Sequence, residues 1–409
     1  MIGKDFSGNI ELYNQYSILN CIRKASGDVS RATIAKEIGL SRTTVSSVVN
    51  RLISLDLVKE VNKFSEPTTR GRPGVPVTLT EDVWYAAGAT LIDLDLIFVL
   101  MTLRGEIWMQ FSLPLADETA DTFLATLEQG FRILIEKCPG RLLPRLGVGS
   151  PGAIHNGKVT TAFDMNWSQV PISDYLYEKL HLPAEVINRH WASCLAEYHA
   201  SGDCTSMIYV GISTGIAAAI IIDGVLFTGA YHNAGEIGHT IVNPEGPMCT
   251  CGRRGCLQAV SSERALVEII TNYYKIHCCP VVGDDKLWEV ISSGRCLEID
   301  DICRAARNHH PVAQQQLDNA AKYLGLSVSN LTGMFNPQCV VLGGSLVDRA
   351  GKRFTKSIID HVFSYSHIEV NNEITVYPWT QGRRSGAVGA AYLVLDQAIQ
   401  LAGSIYDKE

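Results

Sequence analysis

In residues 12–61 apolar side chains recur every three or four positions, the spacing of one buried helical face. Tyr13, Ile18, Leu19 and Ile22 make one stripe, Ile34, Ala35 and Ile38 a second, and Val45, Val48, Val49 and Leu52 a third. Ser30 and Ser41 stand where helix N-caps belong, and Gly39 separates the last two stripes. The pattern predicts helices over 31–38 and 42–55 joined by a tight turn, the helix-turn-helix arrangement. The polar positions of the last helix are Arg42, Thr43, Thr44, Ser46, Ser47, Asn50 and Arg51, with no acid before Asp56. With Ser41 at its head, this face presents short donors, an amide and two guanidinium groups. Such a set reaches phosphates and base edges when a helix N-terminus enters a major groove. The alternative is a small helical bundle with a solvated face.

Two short strand-like runs follow, at 57–61 and 75–79, and the polar stretch between them reads as the tip of a wing. It contains Thr69-Arg70-Gly71-Arg72-Pro73. Two arginines flanking a glycine suit a narrow A·T-rich minor groove, where negative potential is enhanced. A plain solvated loop is the other reading.

From residue 85 the apolar runs become strand-like (86–91, 96–103, 146–148, 207–211, 218–222, 339–342) and alternate with helical stretches, which predicts an α/β body. Glycine turns follow several of them: Gly149-Ser150-Pro151-Gly152, Ser213-Thr214-Gly215 and Gly343-Gly344-Ser345. In series they suggest ligand-lining loops at the carboxyl ends of strands. Residues 390–405 read as a helix with Tyr392, Leu393, Leu395, Ile399 and Leu401 apolar, packing back on the first lobe or supplying an oligomer contact.

A chain of 409 residues holds two to four domains, and 46% hydrophobic with 19% charged residues is ordinary globular composition. The net charge of −7 conceals an asymmetry. Residues 1–80 carry 11 Lys/Arg against 7 Asp/Glu, a net of +4, which leaves −11 for the rest. That is a small anion-binding module on an acidic body. No apolar stretch reads as an export signal or a membrane span, so a cytoplasmic location is expected. Twelve cysteines are then free thiols or metal ligands, with Cys21, Cys138, Cys194 and Cys339 read as small buried residues.

The densest chemistry lies at 238–257. His239 precedes Cys249, Cys251 and Cys256, one imidazole and three thiols in the composition of a four-coordinate zinc site. Four protein ligands leave no position for a reactive water, so one structural Zn²⁺ per chain is expected. Arg253 and Arg254 would favour the thiolates. Glu236, three residues before His239, would be held toward a cleft; a surface glutamate is the bland reading.

These residues together resemble the ROK family, which groups sugar-responsive repressors with sugar kinases. The likeness spans nearly the whole chain. It rests on Gly235-Glu236-Ile237-Gly238-His239 with the three-cysteine turn, on Gly149-Ser150-Pro151-Gly152, on Val340-Val341-Leu342-Gly343-Gly344 and on Ser385-Gly386-Ala387-Val388-Gly389-Ala390-Ala391. The helix-turn-helix and the Gly71-Arg72-Pro73 wing place the chain with the regulators of the Mlc/NagC type. The resemblance implies a winged helix-turn-helix at 1–82 followed by two actin-like (ribonuclease H-like) α/β lobes. The first lobe is expected at 83–190, with 385–409 packing back on it, and the second at 191–384, with the zinc site and an oligomer surface.

Two departures separate this chain from the kinases of that family. Their Asn-Asp pair, whose Asp is the general base on the sugar hydroxyl, is matched here by Asn188-Arg189, and arginine accepts no proton at any working pH. Their Gly-rich phosphate loop is matched by Gly88-Ala89-Thr90-Leu91-Ile92-Asp93-Leu94, which lacks its acid and paired glycines. The sugar side is partly kept: Gly152, Asn188, Glu236 and His239 match family positions, while the family's Glu after the last zinc cysteine is Gln258. A carboxylate lost at 258 and a guanidinium gained at 189 point to an anionic effector such as a sugar phosphate. In the competing reading Arg189 pairs with Asp164 or Glu197 and the effector is a neutral sugar.

The expectation is therefore a DNA-binding regulator and not an enzyme. It would act as a homodimer or homotetramer on a pseudo-palindromic, A/T-rich double-stranded operator, under a sugar or sugar-phosphate effector. Some family members also pair with a sugar-transport protein. A sugar kinase carrying a DNA-binding appendage and a non-catalytic sugar-binding scaffold are the alternatives.

Overall fold

The structure, a computed structural model, describes residues 10–25, 27–61, 75–162, 165–202, 204–367 and 373–398. They form two units, Met1–Gly202 with Arg384–Glu409, and Asp203–Arg383. Helix Arg189–Ala200, which a boundary at 190/191 would cut, stays whole in the first unit.

The first unit opens with α1 (Ile10–Lys24), α2 (Arg31–Ile38) and α3 (Arg42–Ser54). Ile18, Leu19, Ile22, Ile34, Val45, Val49 and Leu52 pack into one core, which supplies the hydrophobic stabilisation of the module. Tyr13 does not join them: it is 52% exposed. It lies five residues before Ile18, about 140° round the helix at 3.6 residues per turn, and so leaves the buried face. Three short antiparallel strands, β1 (Val29–Ser30), β2 (Val58–Glu60) and β3 (Pro76–Leu79), pair in the order β1-β3-β2. The loop that carries Arg70, Gly71 and Arg72 lies outside the described residues.

The rest of this unit is built on a five-stranded sheet. It comprises β4 (Trp84–Ile92), β5 (Asp95–Thr102), β6 (Ile107–Pro114), β7 (Arg141–Ser150) and, after a small meander of β8 (Ala153–His155), β9 (Lys158–Ala162) and β10 (Trp167–Val170), β11 (Ala184–Asn188). The order is β11-β7-β4-β5-β6, with β11, β7 and β4 parallel and β4, β5 and β6 antiparallel. β4 is buried almost throughout, as a strand covered on both faces must be, whereas edge strand β6 alternates half-buried and exposed positions. Helices α4 (Ala120–Lys137), α5 (Ile172–Leu180) and α6 (Arg189–Ala200) belong to this unit, and so does the helix Ser385–Leu395, which packs on β4, β7 and α6. Its approach is so close that a Cβ on Gly88 would overlap the Ala387 carbonyl oxygen. The helix expected at 390–405 thus begins earlier, and its stretch from Ser385 closes at Leu395 with Asp396 as C-cap; residues 399–405 of that expectation, Ile399 and Leu401 among them, lie outside the described residues.

The second unit carries β12 (Met207–Ile212), β13 (Ile216–Ile222), β14 (Val225–Leu226), β15 (Cys339–Gly343) and β16 (Thr375–Pro378) in the order β14-β13-β12-β15-β16. Its helices are α7 (Leu257–Ser261), α8 (Glu263–His277), α9 (Lys286–Ser292), α10 (Ile299–Arg307), α11 (Pro311–Phe335) and α12 (Ser345–Tyr365). They bury Ile208, Val210, Leu266, Ile270, Leu324 and Leu342 in a core of their own. No helix among the described residues is long and apolar enough to cross a membrane.

Candidate functional site

The helix-turn-helix is held by local chemistry. Ser30 Oγ accepts from Thr33 N at 3.0 Å and Ser41 Oγ from Thr44 N at 3.1 Å, so each helix satisfies an orphan amide at its start. Gly39 takes φ 73° and its N–H closes on Ala35 O, the left-handed stop that turns the chain into α3. Val45, Val48, Val49 and Leu52 are buried, while Ser41, Arg42, Thr43, Ser47, Asn50 and Arg51 are exposed and Thr44 is half-buried. Ser41 to Thr44 lie at the positive end of the helix dipole, where anions are favoured, and the exposed face continues through Ser47 to Asn50 and Arg51 in the last turns.

One residue of this surface was missed. Arg31, the first residue of α2, donates from Nη2 to Asn50 Oδ1 at 3.0 Å and to Glu60 Oε1 at 2.8 Å, joining the third helix to strand β2. Its only sequence signal is a cation in the first turn of a helix, where the dipole opposes it. That placement needs another reason, and the two acceptors supply it.

The six expected effector positions divide between the units. Gly152, Asn188 and Arg189 lie in the first, at the carboxyl ends of parallel strands β7 and β11. Asn188 Oδ1 accepts from His190 N at 2.9 Å, capping α6, and its Nδ2 donates to Gly152 O at 2.9 Å. One side chain thus starts the helix and fixes the glycine turn. Arg189 is the first residue of α6 and is half-buried. Burial and the adjacent Arg189 charge push the His190 imidazole from 6.5 down to about 3, so His190 is neutral at working pH. Of the two proposed partners of Arg189, Asp164 lies outside the described residues, and Glu197 is buried eight residues along the same helix, about 12 Å by the helical rise.

Glu236, His239 and Gln258 lie in the second unit. Gly235, at φ 98°, has its carbonyl bonded by Ala218 N of β13, and a Cβ there would overlap the Ala218 carbonyl. A short 3-10 turn, Ile237–His239, follows, so exposed Glu236 is fixed by strand pairing on one side and by His239 on the other. Gln258 Nε2 donates to Cys249 Sγ at 3.8 Å, which ties it to the thiol cluster.

That cluster brings His239, Cys249, Cys251 and Cys256 together with all four ligand atoms within 4.8 Å of one another. Cys249 N bonds Arg253 O at 2.7 Å and Gly252 N bonds Cys249 O at 2.9 Å, which folds three sulfurs inward. Gly255, at φ 70°, lies so close to Asn243 that a side chain there would overlap its carbonyl. The Arg253 amide and guanidinium pull Cys251 down to about 6. Burial and the neighbouring sulfurs push Cys256 up to about 12. Arg254 instead donates to Gly246 O at 3.5 Å. Three crowded thiols plus an imidazole are a donor set that a soft-tolerant divalent cation fits.

Residues 88–397 match the family described as the ROK family, and residues 12–59 match a winged helix-turn-helix DNA-binding family. The xylose repressor of Bacillus spizizenii is 26% identical over 398 residues, which is 96% of this chain and 97% of that protein. Among solved structures, a ROK family transcriptional regulator homologous to the Escherichia coli MLC protein aligns with a TM-score of 0.78 at 24% identity, over 97% of this chain and 98% of its own. A ROK family glucokinase from Streptomyces griseus, solved with glucose and AMPPNP, aligns with a TM-score of 0.64 at 24% identity. It covers 98% of its own length and 76% of this chain.

Proposed function

The chain belongs to the ROK family, and from that premise we propose that it is a sequence-specific DNA-binding transcriptional regulator, a repressor of carbohydrate uptake or metabolism genes governed by a sugar or sugar-phosphate effector. The observation that carries this reading is the capped helix pair with its exposed donor face, Ser41 to Arg51, in a chain that runs nearly end to end with a xylose repressor. Arg42, Thr43, Thr44, Ser47, Asn50 and Arg51 contact phosphates and base edges in a major groove, and Arg70, Gly71 and Arg72 enter the adjacent minor groove. Two copies related by a two-fold axis meet a pseudo-palindrome.

Gly152, Asn188, Arg189, Glu236, His239 and Gln258 are the proposed effector contacts. The argument against a kinase is chemical. Arg189 holds its proton, and a general base is worth about 10²–10⁴-fold. The Gly88 segment, which runs into the turn where Ile92 pairs with Asp95, lacks the acid and paired glycines of the kinases' phosphate loop. A zinc ion, one per chain, would be held by His239, Cys249, Cys251 and Cys256, where it supplies a fixed cross-link and balances thiolate charge.

The test is selection of genomic fragments by the purified protein, alongside an ATP phosphotransfer assay with the same sugars. A recovered pseudo-palindrome without sugar phosphorylation is expected. Phosphorylation without an enriched sequence would overturn the reading in favour of the kinase. Calorimetry with matched sugar and sugar-phosphate pairs then decides the charge of the effector.

A further inference from the structure

Among the described residues outside the four-ligand cluster, one more pair of thiols is in contact. Cys204 Sγ lies 3.1 Å from Cys339 Sγ, although 135 residues separate them. The backbone around them is fixed by other bonds. Gln338 Oε1 accepts from Thr205 N at 2.6 Å, from Thr205 Oγ1 at 3.0 Å and from Ser206 N at 3.1 Å. Gln338 N bonds Ser206 O at 3.0 Å, and Met207 pairs with Cys339 where β12 runs beside β15. The sulfurs therefore meet because the start of β12 and the start of β15 are clamped together, and joining them requires side-chain movement rather than a new backbone path. Their exposures differ: Cys339 is 6% exposed, whereas Cys204 is half-buried and within reach of a small solute.

We propose that Cys204 and Cys339 form a reversible oxidation site, in which a hydroperoxide converts the two thiols into one intrachain disulfide. The accessible Cys204 attacks first. Its thiolate attacks the distal oxygen of the peroxide, the O–O bond breaks, and Cys204 is left as a sulfenic acid while the alkoxide departs and is protonated to the alcohol, or to water in the case of hydrogen peroxide. The Cys339 sulfur then attacks the Cys204 sulfur, the S–S bond forms, and the sulfenic oxygen leaves as water. Two thiols and one peroxide give one disulfide, one alcohol and one water; the thiols lose two electrons and the peroxide gains them. A dithiol reverses the step by exchange. The bond closes a loop within the second unit, from the segment just before β12 to the start of β15.

The experiment uses the full-length protein treated with graded hydrogen peroxide. Remaining thiols are alkylated, the protein is digested without reduction, and the peptides are mapped by mass spectrometry. The expected result is a cross-linked peptide pair containing Cys204 and Cys339, two hydrogens lighter than the sum of its parts and abolished by dithiothreitol. It should form at peroxide levels that leave the exposed Cys278 and Cys279 alkylatable. In C339S, Cys204 should stop at the sulfenic acid or go on to the sulfinic acid. C204S, which changes only a half-buried atom, should fold as the parent and leave Cys339 a thiol. Recovery of both cysteines as alkylated thiols under peroxide that already oxidises Cys278 and Cys279 would overturn the proposal. So would sulfinic acid on Cys204 of the parent with no cross-link.

Discussion

The two five-stranded sheets share one plan. In each, the first strand (β4, β12) pairs antiparallel with the second (β5, β13), and the second with the third (β6, β14). On its other side the first strand takes two parallel partners in succession, β7 then β11 in one unit and β15 then β16 in the other. The strand ends differ. β4 and β5 join through Asp93-Leu94, with Asp93 left-handed. β12 and β13 join through Ser213-Thr214-Gly215, and Ser213 Oγ accepts from Ser345 N at the head of α12, where Gly344 offers no side chain to cap the helix. In the first unit a helix start, Asn188-Arg189, follows the second parallel strand; in the second, α12 follows the first. Burial of the strands sets the plan, and a few loop residues set the chemistry, so one fold serves kinases and regulators alike.

The largest effect is expected at the four-ligand cluster of the second unit, the site proposed for zinc. Structural zinc contributes an apparent ~10–16 kcal/mol in small zinc-binding peptides, and Cys256 is fully buried among its partners. Cys256→Ser should take bound zinc below one per chain and lower the thermal midpoint, measured by atomic absorption and calorimetry. A full metal complement would break this side of the comparison.

The first unit relies instead on a buried ionic joint. Arg23 Nη1 lies 3.3 Å from Asp396 Oδ1, His199 Nε2 lies 3.7 Å from Asp396 Oδ2, and His199 stacks on Tyr392. Burial alone would raise the Asp396 carboxyl, but His199 and Arg23 hold it well below the usual carboxylate range. Asp396→Asn leaves Arg23 buried without its counter-charge and should cost about 3–5 kcal/mol in denaturant unfolding. A loss under 1 kcal/mol would mean that α1 is not anchored there.

A smaller contrast separates a strand glycine, Gly88 of β4, from a turn glycine, Gly215 between β12 and β13. Gly88→Ala would drive a Cβ into the Ala387 carbonyl and should cost about 1–3 kcal/mol. Gly215→Ala meets nothing closer than 3.9 Å and should stay within about 0.5 kcal/mol. Equal costs would show that the hairpins are not used differently.

The last effect is read only as a pH slope. The folded value of His190 is about 3 against an ordinary 6.5, so between these the unfolded chain binds a proton that the folded chain refuses. Its contribution is complete above pH 6.5 and is lost as pH falls toward 3, by at most about 1.4 kcal/mol per pH unit. His190→Gln should flatten that slope in unfolding curves measured across this range; an unchanged slope would assign the acid sensitivity elsewhere.

The DNA module was legible because its determinants are local. Ser30, Ser41 and Gly39 act within four residues of themselves, and Val45, Val48, Val49 and Leu52 announce their face by spacing alone. The thiol cluster was legible because its residue types are rare and close in sequence. The duplicated sheet plan was legible only through the family resemblance, since strand order is set by pairings across more than 100 residues, such as Met207 with Cys339. The tie between Gln258 and Cys249 was not legible, nor was the role of Gly88, which depends on a helix some 300 residues away. Tyr13 misled because an apolar residue near a stripe was counted into it without checking the angle.

The most direct measurement is operator affinity at fixed salt, by fluorescence anisotropy on the selected sequence, with and without a saturating sugar that calorimetry has shown to bind. A body that senses sugar on behalf of the DNA module predicts a change of about 5–150-fold. A sugar that saturates the protein and leaves operator affinity unchanged would contradict the account.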